Sequence, residues 1–527
     1  MEQWNVAEFE MTSSQEYENP YYTIDVDVIF IGPAGESILR PAFWKGENRW
    51  GVRFAPISIG TWTYSVSSSN PEDDLNNVTG SLECTEYTGN KEIFKRGFLK
   101  TMDGKQTLFY ADGTPFFWLG DTHWQFLVDE RYDESNKEGF DSQFRGIIDR
   151  RIEQGFTVYQ SCMIGNNRVE DESDARGFFI PNTTFTEINL DFFANEVDRK
   201  MAYIVNSGLV NCMSFAWNYF LEQDYVQQMK RFARYVVGRY GAYPMVWSIV
   251  GEAAGYYATE EITLARWREV AMEVYRIDGY HQIRTVHMTN NRPLPDYYVG
   301  EEWHDFVLGQ MGHGGMSLNV SYYAEFFEKH PNTPYIEGEA MYDGLRSDEY
   351  AARRYVSGQM VRNAAYRAMQ NGCQGYGYGA QGIWNALWDS EEMDPESIFA
   401  FWGNQDWRTA IDSEVANQMT HFKSFYQSIG WQDLRPRNEL GARTGVKNIS
   451  ANDTLTTIVI YIPDMFSALP QIGELSAGSY LVRLFDTRTG EYVYNETVEL
   501  VTNGSISFPQ IPDSTMDWAV VIHKQDN

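Results

Sequence analysis

Few carboxylates stand where a short apolar run gives way to a loop, and those few have the residue types and spacing to do chemistry. Asp121 lies in WLGDTHW, Glu252 in VWSIVGEAAG, and Glu337 and Glu339 two residues apart in PYIEGEAMYDG. Two carboxyl groups facing one bond from opposite sides are what cleavage of a glycosidic linkage needs. One protonates the leaving oxygen, and the other attacks the anomeric carbon or activates water. The proton donor must stay protonated near neutral pH, which burial and a neighbouring carboxylate both favour. In a regular strand Glu337 and Glu339 share a face, so spacing alone does not choose between them, although Gly338 between them is able to bend the chain. Glu337 has a second reading, as the ion-pair partner of an arginine such as Arg346.

Such groups need a scaffold. Eight short apolar runs can supply strands: FFWLG from Phe116, FTVYQSCM from Phe156, LVNCMSFA from Leu209, MVWSIV from Met245, IRTVHM from Ile283, DFVLGQ from Asp305, PYIE from Pro334 and CQGYGYG from Cys373. Helical spacing appears between them. Phe144, Ile147, Ile148 and Ile152 share one face after an Asp141 cap, and Val226, Met229, Ala233, Val236, Val237 and Tyr240 share another. An open doubly wound sheet has a similar local pattern, but no Gly-rich phosphate loop follows a strand. The expectation is an α/β fold, a (β/α)8 TIM barrel over residues 92–433. Strand alternation in YTIDVDVIF, from Tyr22 to Phe30, and in GTWTYSV predicts an N-terminal β-sandwich over 1–91. The runs TLTTIVIYI, SYLVRLFD, EYVYNETVEL and DWAVVIHK predict a C-terminal one over 434–527.

A barrel presents its reactive groups where strands end, so the strand list also indexes substrate contacts. Beside the carboxylates, Trp124 follows the first strand, His287 ends the fifth and Gln310 ends the sixth. His287 is placed to hydrogen-bond a carboxylate or a sugar. His123 holds a similar strand-end position as a further substrate contact or lining residue, and Met163 and Asn218 follow the second and third strands with nothing to distinguish them.

Composition narrows the partners. The chain has 527 residues, a formal charge of -31, 16 Trp and 34 Tyr. That charge repels polyphosphates and anionic surfaces, so neither nucleic acid nor membrane is expected, whereas aromatic rings suit the apolar faces of neutral sugars. Cys84, Cys162, Cys212 and Cys373 have no metal or disulfide spacing, and HExxH is absent. Neither a metal nor a cofactor is expected, and the thiols read as buried and reduced. MEQWNVAEFE lacks the regions of a signal peptide, so the chain reads as cytoplasmic as given, and as secreted or periplasmic if an export signal was removed.

The segments FYADGTPFFWLGDTHWQFL, VWSIVGEAAG, YIEGEAMYDG and YGYGAQGIWN resemble the apiosidase-like glycoside hydrolases, a barrel family similar to clan A. RPAFWKGENRWGVRFAPISIGTWTYSV resembles the β-sandwich that precedes that barrel, and the C-terminal strands resemble a collagen-binding-type sandwich. The resemblance implies that Glu252 is the general acid/base and Glu339 the nucleophile. It implies further that Asp121 accepts hydrogen bonds from substrate hydroxyls and that Trp384 floors the sugar site. Glu337, Trp124, His287 and Gln310 are carried as further substrate contacts. Two departures stand out: the family's Gly-Gly-Asp is Val250-Gly251-Glu252 here, and Gly251 replaces the clan's Asn that contacts the sugar 2-hydroxyl. The expected activity is hydrolysis of a plant or microbial glycan with retention. Inversion on the same site and a carbohydrate-binding barrel without turnover are the rivals, and a homo-oligomer is left open. A lyase or esterase is weaker, because no GxSxG elbow accompanies the strands.

Overall fold

The computed structural model describes all residues except 128, 166–176, 254–259, 290–296, 314–319, 347–354, 392, 397, 442–445, 464–470 and 526–527. In the N-terminal region, β1 (Ala7–Thr12), β2 (Val26–Ile31), β3 (Ser37–Pro41), β4 (Phe43–Gly46), β5 (Arg49–Phe54), β6 (Gly60–Ser68) and β7 (Thr79–Cys84) form two antiparallel sheets, β1-β5-β4 and β3-β2-β6-β7. Between them pack Val26, Val28, Phe30, Phe54 and Trp62. Tyr22 and Ile24 do not begin a strand as their alternation suggests. Asn19 caps a helical turn at Pro20–Thr23 by accepting from Tyr22 N at 3.3 Å, and Pro20 opens that turn, so the strand starts at Val26.

Three short strands, β8 (Leu99–Lys100), β9 (Leu108–Tyr110) and β10 (Pro115–Phe116), lead into the barrel. Its strands are β11 (Trp118–His123), β12 (Val158–Ile164), β13 (Val210–Trp217), β14 (Met245–Ser248) continued by β15 (Val250–Gly251), β16 (Arg284–Thr285), β17 (Val307–Gln310), β18 (Tyr335–Glu339) and β19 (Gly375–Tyr378). They run parallel in the order β16-β14-β13-β12-β11-β19-β18-β17, with β15 pairing β13. One bridge, His287 to Leu308, joins β16 to β17 and closes the ring. The eight expected strands are all present, and the fold is the (β/α)8 barrel flanked by β-sheet regions.

The strands are buried throughout and mostly apolar because helices cover one face and the barrel interior the other. Inside the ring, Trp118, Val158, Cys212, Val246, Leu308 and Ile336 pack with Leu99, Leu108 and Phe116 from β8–β10, which seals the end where the strands begin. Chemistry is thereby confined to the opposite end. Outside, helix Gln143–Glu153 buries Phe144, Ile147 and Ile148, and its cap is Ser142 rather than Asp141, with Oγ accepting from Arg145 N at 3.0 Å. Helix Val226–Tyr240 buries Met229, Ala233, Val236, Val237 and Tyr240.

The flanking regions are bolted to the barrel. Arg40, fully buried on β3, donates through Nε to Arg53 O at 2.9 Å and through Nη2 to Val237 O and Gly238 O at 2.8 and 3.0 Å, where carbonyls near the end of helix Val226–Tyr240 gather partial negative charge. At the other end, β20 (Arg435–Pro436), β21 (Ile449–Ala451), β22 (Thr457–Ile462), β23 (Gln471–Leu475), β24 (Gly478–Asp486), β25 (Glu491–Leu500), β26 (Gly504–Ser507) and β27 (Trp518–Lys524) form sheets β20-β21-β22-β27-β24-β25 and β23-β26. Asp517 beside β27 pairs with Arg362 of helix Gly358–Gln370 through two bonds of 2.6 and 3.0 Å. All four cysteines are free and buried. Among the described residues no helix is long and apolar enough to cross a membrane.

Candidate active site

Glu252 follows β15. The strand breaks at Ile249, resumes against β13, and delivers Glu252 in the left-handed region at φ 50°, a strain that a residue with a Cβ carries only when its surroundings enforce it. Burial, and then the charge of Glu339, push its carboxyl up to about 7. Gln310 Nε2 donates to its Oε1 at 3.4 Å. A Cβ at Gly251 would lie 2.8 Å from the Trp217 ring, so an indole fills the space that a side chain before Glu252 would need.

Glu339 ends β18 and is held in the opposite state. His287 Nε2 bonds Oε2 at 2.9 Å, and His313 Nε2 lies 3.2 Å from Oε1. Burial disfavours its charge, but the hydrogen bonds and positive potential of the two imidazoles prevail and hold the carboxyl well below the usual carboxylate range. The Tyr342 hydroxyl also bonds Glu339 and accepts from Trp124 Nε1 at 3.2 Å.

The ambiguity between Glu337 and Glu339 is resolved by a bulge in β18. Gly309 of β17 pairs with Glu337 but Gln310 pairs with Glu339, which leaves Gly338 as the extra residue and reverses the alternation. Glu337 turns toward the helices. Its Oε2 accepts from Tyr323 OH at 2.8 Å, and its Oε1 from Met311 N and Glu339 N at 3.1 and 3.2 Å. Burial pushes this carboxyl up to about 8. The side chain is fully buried with protein partners on both oxygens, and Arg346 is not among them, so the expected ion pair is not formed.

Asp121 is also paired within the protein. Period-two alternation turns Asp121 and His123 outward from β11 and Thr122 and Trp124 inward. Asp121 Oδ2 accepts from Arg151 Nε of helix Gln143–Glu153 at 2.7 Å and meets His123 Nε2 at 2.9 Å. His123 Nδ1 reaches Glu130 Oε1 at 2.6 Å, and its ring stacks on Tyr159 at 4.1 Å. Burial disfavours a charged His123, yet Glu130 and Asp121 outweigh it and push the imidazolium up to about 9. Because that value exceeds the ordinary 6.5, the stability this histidine contributes is complete below about pH 6.5 and is lost as pH rises through about 9. Urea unfolding from pH 6 to 9.5 is expected to show wild type losing stability more steeply than His123→Gln; parallel curves would refute it.

Of the other expected residues, Trp124 lies 5.1 Å from His287 and 5.4 Å from Trp217 between ring centroids, and Trp384 lies 6.1 Å from Tyr342 with its Nε1 on Gln381 Oε1 at 2.8 Å. Both line the same end as Glu252, Glu339, His287 and Gln310. Met163 and Asn218 are buried near their strand ends. Sequence reasoning missed His313, Tyr342 and Trp217. The signal for His313 was a histidine among the glycines of MGHGG, three residues beyond the sixth strand; Tyr342 and Trp217 carried none beyond lying near strand ends.

Comparison with known proteins agrees with the barrel fold. Residues 102–433 match the model of the apiosidase-like catalytic domain, and residues 1–69 match a domain of unknown function, DUF5060. No curated protein matches the sequence. A candidate glycoside hydrolase from Bacteroides vulgatus ATCC 8482 has a similar fold at 15% identity, with 99% of both chains covered and a TM-score of 0.74. A glycoside hydrolase family 5 protein from the same organism has 18% identity, 82% of this chain and 94% of its own covered, and a TM-score of 0.66. Those identities speak to the fold alone; the catalytic-domain match spans most of the barrel and more than half of the chain, and on it this protein belongs to the apiosidase-like family of glycoside hydrolases.

Proposed function

We propose that the protein hydrolyses a glycosidic bond with retention, with Glu339 as nucleophile and Glu252 as general acid and then base. The observation that carries this reading is the opposite poise of two carboxyls at one end of the barrel: Glu252 pushed up to about 7, Glu339 held charged by His287 and His313. In the first step a Glu339 oxygen bonds the anomeric carbon while the bond to the leaving oxygen breaks and takes the Glu252 proton. In the second, Glu252 removes a proton from water, whose oxygen displaces Glu339. Trp124 and Trp384 offer apolar faces to a neutral sugar, and the formal charge of -31 disfavours polyanionic glycans.

The test is a panel of aryl furanosides and pyranosides, with proton NMR on the first product formed. Cleavage with the retained anomer is the expected outcome, and an inverted anomer would make Glu339 a base toward water. For the substrate cleaved, kcat/KM is expected to fall as pH rises through about 7, because Glu252 then loses the proton it must donate. A profile flat to pH 9 would remove Glu252 from that role.

A further inference from the structure

The geometry points to Glu337 as a positioning residue that clamps the β17–β18 bulge and so fixes Glu339 and Gln310 in register with each other; this rests on the hydrolytic reading above. A bulge strips amides of their ladder partners, and a buried amide left unpaired is costly. At this bulge the two amides are Glu339 N and Met311 N, and a single oxygen, Glu337 Oε1, accepts from both at 3.2 and 3.1 Å. One of these residues is the nucleophile. The other directly follows Gln310, whose Nε2 donates to Glu252 Oε1 at 3.4 Å. The clamp therefore ties the backbone of Glu339 and the backbone next to Gln310, which touches Glu252, to one side chain.

That side chain is itself anchored. Tyr323 OH holds the second oxygen at 2.8 Å, and the Tyr323 ring packs edge-on against Tyr335 at 5.4 Å. The extra residue is held from the other side, since Gly338 O accepts from Gln160 Nε2 at 3.0 Å, and a Cβ on Gly338 would fall 2.6 Å from Leu308 Cδ1. The clamp needs one oxygen able to accept twice, not a negative charge. Burial keeps Glu337 protonated up to about pH 8, so a glutamine reproduces the acceptor while its amide faces the Tyr323 hydroxyl.

The experiment compares full-length wild type, Glu337→Gln and Glu337→Leu, each checked for folding by circular dichroism. Two quantities are read: kcat and KM on an aryl glycoside that wild type cleaves, and hydrogen exchange at the Glu339 and Met311 amides. Glu337→Leu is expected to lose on the order of 100-fold in kcat with KM within about threefold, since small displacements of reacting groups cost that much, and to exchange faster at both amides. Glu337→Gln keeps wild-type values of both. Unchanged exchange in Glu337→Leu, or a loss in Glu337→Gln as large as in Glu337→Leu, overturns the clamp. Should Glu337→Leu not fold, Tyr323→Phe decides instead: a smaller kcat loss with faster exchange supports the clamp, and no change in either overturns it. If wild type cleaves no glycoside, hydrolysis is the reading that fails, and exchange alone still decides the clamp.

Discussion

Glu339→Gln is expected to lower kcat by on the order of 10⁴- to 10⁶-fold in a protein that still folds, the scale at which loss of a nucleophile or its activation registers. The amide cannot form the glycosyl ester, and no other described carboxyl is placed to substitute, since Glu337 faces the helices. Glu252→Gln behaves differently. Loss of general acid/base assistance costs about 10²- to 10⁴-fold, and the deficit in the first step shrinks for aryl leaving groups acidic enough to depart without a proton. Steady-state rates against leaving-group acidity separate the two: a steep dependence for Glu252→Gln and uniform loss for Glu339→Gln. Equal, leaving-group-independent losses would mean that the roles are misassigned. Removing the Glu339 charge also lets the Glu252 carboxyl titrate lower than its native value of about 7, a shift that carbon-13 NMR of labelled glutamate reads directly.

Asp121→Ala is expected to lower folding stability by about 3–5 kcal/mol, because it strands a buried Arg151 guanidinium and leaves His123 with one carboxylate instead of two. KM for a cleaved glycoside should change little, since the side chain faces helix Gln143–Glu153 and not the barrel interior. Urea unfolding and KM measured together discriminate this from the sugar-binding role that the family resemblance implies. A raised KM with unaltered stability would restore Asp121 to the substrate.

The barrel was legible because its strands are buried on both faces and read as mostly apolar runs, as VYQSCMI does between Val158 and Ile164. The strand-end placement of Glu252 and Glu339 was legible through the loop motifs that carry them. What sequence could not show is local departure from period two. The Gly338 bulge decides which of Glu337 and Glu339 faces the barrel interior, and it depends on pairing with β17, a contact between residues far apart in the chain. The outward turn of Asp121 was hidden for a related reason: its partner Arg151 lies one helix away, and nothing in WLGDTHW announces an outward-facing acid. The short turn at Pro20–Thr23 hid inside an alternating run because tyrosine and threonine suit strands as well, and only the Asn19-Pro20 pair gave it away.

Arg40 gives the boundary between the N-terminal sheets and the barrel a definite cost. Its guanidinium, buried from solvent, donates to Arg53 O within its own sheets and to Val237 O and Gly238 O of the barrel. A barrel excised from its leading sheets leaves those helix-end carbonyls to solvent, and the excised sheets expose a bare cation on an apolar surface. The two regions are therefore not beads to be restrung: grafting these sheets onto another enzyme succeeds only where the recipient offers a helix terminus to receive the arginine, and dissecting this protein calls for cuts that keep β3 with helix Val226–Tyr240.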